Sequence, residues 1–482
     1  MARATRRAGP EVGEAPAVRR SRKVVFAVTA LGAFMGSLDL SIVNVIFPAL
    51  ERSFPNDSRA TLAWVITGYS IVFGSLLVTA GKSADRLGRK RVFFGGVAVF
   101  ALGSALCGIA PSVGLLVAGR LVQGAGAAAM LPASLALLLA EFPSERRSHV
   151  VALWSGIGAL AVATGPSLGA VLVTYAGWRW AFYVNLPIGA ACYLLGRRVL
   201  TESPRTSTTT SPDYGGVLLV SAALGGLVLA ISEATSWGWS SARILGCLAA
   251  SAVLLAWFIR RSSRHLEPVL DLRLFAQPSF AVANLATLLY AMGFFAMLLG
   301  NILFLTSVWH YSILRAGLAI TPGPIVVAIV SGPAGRLAAR VGFRSVIFAG
   351  ATLFAAGLAW YATRIGLHPS YVTRWLPATV VTGIGIGLTF PVLGAAAVSS
   401  LPEDRFAVGS AVSQTARQIG GAFGVAILVA LLGSPHTATG ALAHFRHLWW
   451  YATTMAALSG LSFLLLRRGP PDTAKSNRSE AR

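Results

Sequence analysis

The chain has 482 residues, of which 55% are hydrophobic and only 12% are charged, and its formal net charge is +23. Soluble globular domains carry roughly 25% charged residues, so this composition predicts an integral membrane protein and excludes a water-soluble one. The positive charge does not predict nucleic-acid binding, because the basic residues lie in short loops and tails between long apolar runs.

Apolar runs long enough to cross a bilayer recur along the whole chain. A span needs about 20 apolar residues. We predict an all-α membrane protein with fourteen such helices, near residues 24–50, 60–80, 92–110, 113–140, 149–175, 180–200, 214–234, 242–259, 278–306, 314–335, 345–363, 373–400, 406–433 and 446–468. The first run follows a basic tail, but it is longer than a signal peptide and contains an acid, so we expect an uncleaved helix.

The basic residues orient these spans. Segments on one side of the predicted topology carry 30 of the 40 lysines and arginines, and the loops on the other side carry eight. Because cytoplasmic loops of membrane proteins are rich in Lys and Arg, we predict that both termini are cytoplasmic. The expected location is the inner (cytoplasmic) membrane, crossed many times.

The first apolar run contains a carboxylate, Asp39, about fifteen residues from its start and so near the bilayer midplane. A charge there costs roughly 2.5–3.5 kcal/mol, and such acids mostly serve function. Met35, Gly36 and Val43 share its helix face at spacings of three and four residues, which makes this face a candidate wall of a substrate cavity. The alternative is a structural hydrogen bond to a neighbouring helix.

A glycine-rich basic loop joins the second and third predicted helices. Gly81 and Gly88 permit a tight turn, and Asp85 is the one acid among its basic residues, which include Arg86 and Arg89. This pattern predicts a conformational latch on the cytoplasmic side, with the partner of Asp85 in the second half, near the start of helix 13. The alternative is a loop that only sets topology.

Two arginines lie inside predicted helices. Arg120 precedes Gln123 in the fourth helix, and it either serves function there or extends its side chain to the outer interface. Arg417 is about eleven residues into helix 13, too deep for its side chain to extend easily to the membrane interface. It must contact a carbonyl, water, the substrate or an acid of the other half. We include Gln123 and Arg417 among the substrate-cavity candidates.

Two further stretches interrupt helices 5 and 6. Pro166, flanked by Gly165 and Gly169, removes a backbone hydrogen bond and kinks helix 5. Residues 178–189 begin helix 6 with a cluster of aromatic side chains, which fits the belt at a membrane interface. Taken alone, each pattern is also typical of ordinary membrane-helix irregularity.

An internal repeat divides the chain. Five residues of the glycine-rich loop recur 254 positions later, as Gly335, Arg340, Val341, Gly342 and Arg344, and three residues of helix 4 recur 259 positions later, as Gly383, Gly385 and Pro391. We therefore predict a cytoplasmic tail (1–23), a six-helix bundle (24–200), a linker with two inserted helices (201–277), a second six-helix bundle (278–468) and a final cytoplasmic tail (469–482). Repeated halves around a midplane site are the organisation of secondary transporters.

Together these stretches resemble the major facilitator superfamily, and within it the fourteen-helix drug:proton antiporters, the bacterial multidrug and antibiotic exporters. The resemblance rests on 38–48, 81–91, 120–126, 178–189 and 414–421. The helix-5 antiporter motif is partial, since Ala170 stands where the family has a second glycine. The resemblance implies two six-helix bundles with two inserted central helices, and proton-driven export with Asp39 as the proton carrier and Arg120 aiding the transfer.

These observations favour a proton-coupled exporter of amphipathic drugs or antibiotics that works by alternating access. A transporter of a small metabolite or lipid-like molecule is the alternative, and a membrane enzyme or sensor is disfavoured because metal-binding and nucleotide-binding motifs are lacking. We expect no enzymatic activity, cofactor or metal, and no nucleic-acid partner. The expected partners are a small-molecule substrate, protons and the lipid bilayer, and the expected state is a monomer.

Overall fold

The computed structural model describes residues 16–202, 212–399, 401–402, 405–433, 435 and 437–464. All regular structure within these residues is helical, as predicted. The sixteen α-helices are α1 (Pro16–Ser53), α2 (Arg59–Leu87), α3 (Arg89–Ile109), α4 (Val113–Glu141), α5 (Ser144–Ala176), α6 (Trp180–Tyr183), α7 (Asn185–Val199), α8 (Tyr214–Trp237), α9 (Ala242–Ser262), α10 (Pro278–Ser307), α11 (Ile313–Ile320), α12 (Pro322–Val341), α13 (Phe343–Arg364), α14 (Leu376–Val398), α15 (Phe406–Leu432) and α16 (Ala438–Leu464).

Twelve segments of the described chain are long and apolar enough to cross a membrane, with α11 and α12 forming one of them. The two other predicted spans fall on the short pair α6–α7 and on α16. Helix α7 has only 15 residues, because the helix is interrupted at Val184 and α6 remains a separate turn. The prediction of an all-helical membrane fold is confirmed.

The internal repeat is visible in the packing of α3 on α4 and of α13 on α14. A methyl group added to Gly126 of α4 would overlap the backbone nitrogen of Phe100, and one added to Gly385 of α14 would overlap that of Phe354. Gly385 lies 259 residues after Gly126, and Phe354 lies 254 residues after Phe100, which are the two offsets of the sequence repeat. Glycine at these positions lets two helix backbones approach closely, as is common between membrane helices.

The two halves of the chain meet along α2–α15 and along α5–α11. On the first seam, the Thr415 hydroxyl donates to the Gly74 carbonyl at 2.8 Å. On the second, Gly317 of α11 faces Ala170 and the Pro166 carbonyl of α5 so closely that it has no room for a side chain. The methyl group of Ala170 is therefore accommodated by a glycine in the opposite half.

The inserted helices α8 and α9 pack on each other and cover the α2–α15 seam. Ile71 of α2, Val220 and Val228 of α8, and Ala422 and Ala426 of α15 belong to one buried apolar cluster. The sequence predicts this pair as an insertion between the two six-helix bundles. Because the pair lies over the α2–α15 seam, α8 contacts both halves of the chain.

Residues 263–277, which we call the strap, connect α9 to α10 and bind polar groups of both halves. Lys82 of α2 donates from Nζ to the Pro268 carbonyl at 3.0 Å. Asp271 forms an ion pair with Arg405, just before α15, at 3.1 Å. The strap is anchored to the inserted helices, because it follows directly after α9, where Arg261 pairs with Asp213 at 2.6 Å.

Candidate functional site: a buried ion pair in the first bundle

Asp39 and Arg120 form an ion pair that is enclosed by the first half of the chain. Arg120 Nη1 lies 2.6 Å from Asp39 Oδ2, and both residues are 1% exposed. Gln123 donates from Nε2 to Asp39 Oδ1 at 2.7 Å and accepts from Arg120 Nη1 at 2.6 Å. The three side chains therefore close a ring of hydrogen bonds, in which α1 supplies the acid and α4 supplies the cation and the amide.

A second layer of polar groups surrounds this ring. Ser104 of α3 accepts from Gln123 at 2.8 Å and from Asn185 at 3.3 Å, and Asn185 also donates to Asp39 Oδ1 at 3.4 Å. Arg120 Nε donates to the Val65 carbonyl of α2 at 2.8 Å. Four helices and the first residue of α7 thus contribute to one network.

Arg120 is further held by an aromatic ring. Its Cζ lies 4.1 Å from the centroid of Tyr69, which is buried. A cation over an aromatic face gains up to about 2 kcal/mol when it is removed from water. The alternative that Arg120 extends to the outer interface is therefore wrong, because its charged end turns inward to a carboxylate.

Every contact described for Asp39 is with a hydrogen-bond donor, which suits an ionised carboxylate, since that group only accepts. Protonation of Oδ2 would put a hydrogen where Arg120 Nη1 now donates. A proton and Arg120 would therefore occupy the same position on one oxygen atom.

The other predicted cavity residues of α1 do not border an open space in this conformation. Met35 and Val43 are 0% and 1% exposed and belong to packed apolar clusters, and Gly36 faces the side chains of Met130 and Leu131. Gln123 is equally enclosed in the ring. A substrate would reach these four residues only after the first bundle rearranges.

Arg417 is separate from this network. It lies near the middle of α15 and is half-buried, and its Cζ is 4.4 Å from the ring centroid of Phe390 on α14. Within the described residues it has neither a hydrogen bond nor an ion pair. The sequence left open that Arg417 pairs with an acid of the other half. The structure does not show such a pair, since Asp39 is bound to Arg120.

The glycine-rich loop forms a turn with a local ion pair. Gly88 has φ 106°, which starts α3 in a new direction, and Gly81 and Arg86 lie in the last turns of α2. Asp85 pairs with Arg89 at 2.9 Å, and its side chain is 52% exposed. The prediction that Asp85 pairs with the second half is therefore wrong for this conformation, because the turn brings a cation of its own loop within reach.

The helix-5 motif packs α5 against α1. An added methyl group on Gly165 would overlap Ser41, whose hydroxyl donates to the Val162 carbonyl at 3.0 Å, and Gly169 lies against Ile42. Pro166 lies within the same helix and turns its carbonyl toward α11. The motif thus lies between the helix of Asp39 and the second half of the chain.

Sequence reasoning missed three members of the network: Ser104, Tyr69 and Asn185. Asn185 was included in a stretch interpreted as an interfacial aromatic belt. Trp180 is indeed half exposed, but Phe182 and Asn185 are fully buried. An amide inside an apolar, proline-containing helix start was the available signal, since such a group in a membrane needs a polar partner.

The described residues contain no group of three or more His, Cys, Asp and Glu side chains placed to hold a metal ion.

The family model described as Major Facilitator Superfamily matches residues 29–216, 213–425 and 283–482. The chain is 36% identical over 425 residues to the multidrug resistance protein Stp of Mycobacterium tuberculosis (strain CDC 1551 / Oshkosh), covering 88% of this chain and 78% of that protein. It is 32% identical over 465 residues to the methylenomycin A resistance protein of Streptomyces coelicolor, covering 95% and 94%.

A solved structure shares the fold at low sequence identity. The crystal structure of an auto-inhibited POT family peptide transporter aligns with a TM-score of 0.67 at 17% identity, over 94% of this chain and 98% of that one. The two proteins therefore have the same helical architecture, and the similarity carries nothing about substrate.

Proposed function

The chain belongs to the major facilitator superfamily of transporters, and we propose that it exports amphipathic drugs or antibiotics in exchange for protons. Its relatives named above are drug and antibiotic resistance proteins, which supports the class of substrate. A tetracenomycin C resistance and export protein of Streptomyces glaucescens, 32% identical over 84% of this chain, supports the direction of transport.

The observation that carries proton coupling is the buried Asp39–Arg120 pair. In the proposed cycle, a proton binds Asp39 Oδ2 from the outside and releases Arg120, and the proton leaves to the inside when the pair re-forms. Gln123 and Asn185 keep Asp39 Oδ1 bound by two amides in either state. The driving force is adequate, because a potential of 100 mV is worth ~2.3 kcal/mol per charge.

Alternating access in this proposal is a movement of the two halves about their seams. In this proposal the Gly88 turn and both termini are cytoplasmic, which the concentration of Lys and Arg in the loops of that side supports. The close contact of Gly317 with Ala170 then lies toward the outer side. Opening to the outside requires this contact to separate, while the glycine-packed pairs α3–α4 and α13–α14 move as units.

The division of the chain into bundles at 24–200 and 278–468, with 201–277 between them, is part of the same proposal. The proposal also includes a latch at the Gly88 turn. It forms in another conformation, in which Asp85 leaves Arg89 and pairs with a residue of the second half.

The direct test is Asp39→Asn in purified protein. Wild-type protein should release protons when it binds a drug chosen from a susceptibility panel in an efflux-deficient host, and the variant should release none while it still folds. Glu51→Gln is a matched control, because Glu51 is also on α1 and also pairs with an arginine, Arg59, at 2.7 Å. Proton release by the Asp39→Asn variant equal to that of wild type would refute the assignment.

Transport in everted vesicles tests the rest of the proposal. Drug accumulation that depends on an imposed proton gradient, together with loss of accumulation in Asp39→Asn, is expected. Uptake that proceeds without any proton gradient would show that the exchange is not with protons.

A further inference from the structure

Arg417 is a charged residue near the middle of a membrane helix that the proposed coupling cycle does not use. The side chain is half-buried near the middle of its span, and within the described chain its recorded interaction is the face of Phe390, 4.4 Å away. Gln414, one turn earlier on the same side of α15, is exposed. Arg417 is therefore reachable from the space beside α15, unlike Arg120, which is closed off by Asp39.

The charges near the midplane leave an excess of one positive charge. Asp39 and Arg120 neutralise each other across 2.6 Å. The second-half helices that pack against α15, which are α10, α14 and α16, contain no Asp or Glu and supply no counter-charge. An unpaired cation at this depth is costly, and a bound anion would offset that cost.

Aromatic rings line the same place. Phe390 meets Phe294 of α10 edge to face at 5.0 Å between centroids, and it meets Tyr290 in the same way at 5.0 Å. Phe294 and Phe390 are both half-buried, so part of each ring is open to a ligand. A planar apolar group fits against such rings, while the guanidinium beside them suits a carboxylate, sulfonate or phenolate.

We propose that Arg417 recognises the anionic group of the substrate and that preferred substrates are amphipathic aromatic anions, whose ring packs on Phe390 and Phe294. This proposal rests on the proposed export function and names its substrate class. A cationic drug has no comparable site, because the one carboxylate near the midplane is occupied by Arg120 and Arg417 would repel the drug. The geometry thus selects substrates by charge as well as by apolar surface.

The experiment measures equilibrium binding of matched dyes to purified protein in nanodiscs at neutral pH. The pair is fluorescein, an anion, and a cationic rhodamine with the same xanthene ring. Wild-type protein should bind fluorescein at least about tenfold more tightly, the ratio expected for one charge-assisted contact. Naphthoic acid should displace it, and naphthylmethylamine, its cationic counterpart, should not.

Variants assign the preference to Arg417. Arg417→Gln should remove the preference for the anion, and Arg417→Lys should restore most of it. Arg315→Gln is the control, since Arg315 also lies over an aromatic ring, that of Tyr311 at 3.9 Å, but is exposed at the end of a helix. Phe390→Leu should weaken the binding of both dyes to a similar degree, because it removes the aromatic ring and keeps the charge of Arg417.

Three outcomes would overturn the proposal: equal or tighter binding of the rhodamine, failure of both anions to bind, or a preference unchanged in Arg417→Gln. If Arg417→Gln does not fold, the lysine and leucine variants still decide between charge recognition and a structural role. Binding requires neither proton release nor transport, so a failure here is distinguishable from a failure of proton coupling at Asp39.

Discussion

Helix α4 of the first half and helix α14 of the second half have the same packing and different chemistry. Each approaches its neighbour through a glycine, Gly126 or Gly385, at equivalent positions of the repeat. The position of Arg120 in α4 corresponds to Thr379 in α14, which shares a hydrogen bond of 2.7 Å with Tyr361. The first half has a buried ion pair where the second half has two neutral hydroxyl groups.

The difference indicates that the two halves have different roles in the transport cycle. Neutral hydroxyl groups can stay bonded through every state of a transport cycle, whereas an ion pair responds to a proton. The charge of the second half, Arg417, lies on a different helix and has no acid beside it. We therefore expect the two halves to respond very differently to substitutions at equivalent polar positions, and similarly at equivalent glycines.

The largest expected effect is that of Arg120→Gln. It leaves Asp39 buried without its cation, and breaking a buried pair in this way costs about 3–5 kcal/mol in the free energy of unfolding. Thr379→Val, at the equivalent position, removes two neutral hydrogen bonds, with Tyr361 and with the Trp375 carbonyl, and should cost about 2 kcal/mol. Denaturant or thermal unfolding in detergent measures both.

The double variant Asp39→Asn with Arg120→Gln sharpens this result. It removes both charges, so it should recover most of the stability lost in Arg120→Gln and still fail to release protons on drug binding. Equal losses of stability in Arg120→Gln and Thr379→Val would contradict this difference between the halves. The Asp39–Arg120 pair would then contribute no more than neutral hydrogen bonds do.

The next effect concerns the shared packing. Gly126→Ala and Gly385→Ala each push a methyl group into the neighbouring backbone, and overpacking of this kind typically costs about 1–3 kcal/mol. The two losses should be similar, because the contacts are equivalent. Gly95→Ala is the control: a methyl group there meets nothing within 4 Å, and alanine should raise stability by roughly 0.5–1 kcal/mol. A large loss in one half alone would show that the repeat does not extend to its energetics.

The smallest effect is expected where the halves are tied together. Asp271→Asn removes the ion pair of the strap with Arg405, whose side chains are 30% and 47% exposed. Surface pairs are worth about 0.2–1 kcal/mol, and salt screens them. The loss should therefore shrink as salt is added, whereas Asp57→Asn, in the exposed loop after α1, should show no loss at any salt concentration. A loss that is independent of salt would mean that Asp271 acts through packing.

The sequence predicted the helices, the repeat and the ionisable members of the site because each has a local signal. An acid or an arginine within an apolar run is costly wherever its neighbours lie, so Asp39, Arg120 and Arg417 stand out without any knowledge of contacts. Glycines at a repeated spacing likewise indicate close helix packing before the partner helix is known.

Partners could not be predicted in the same way. Asn185 reaches Asp39 through the packing of α7 on α1, which no local pattern specifies, and the aromatic residues around it fit an interface equally well. Asp85 lies in a loop with several cations, and the sequence does not tell which of them it pairs with; in the structure it is Arg89, just beyond the Gly88 turn. The strap has no periodic pattern, so its contacts with Lys82 and Arg405 depend on a loop path that composition does not determine.

The strap has a consequence for how this chain could be divided. The strap and both inserted helices follow residue 212, yet the strap binds Lys82 of the first bundle. A break between Glu202 and Asp213 would therefore give a second fragment that still holds the first through α8 and the Pro268 carbonyl. A break between the strap and α10 would leave the second bundle with Arg405 as its polar contact to that segment. Because α8 packs against α15 as well as against α2, the inserted pair also joins the two fragments after this second division, so co-expressed fragments should assemble in either case.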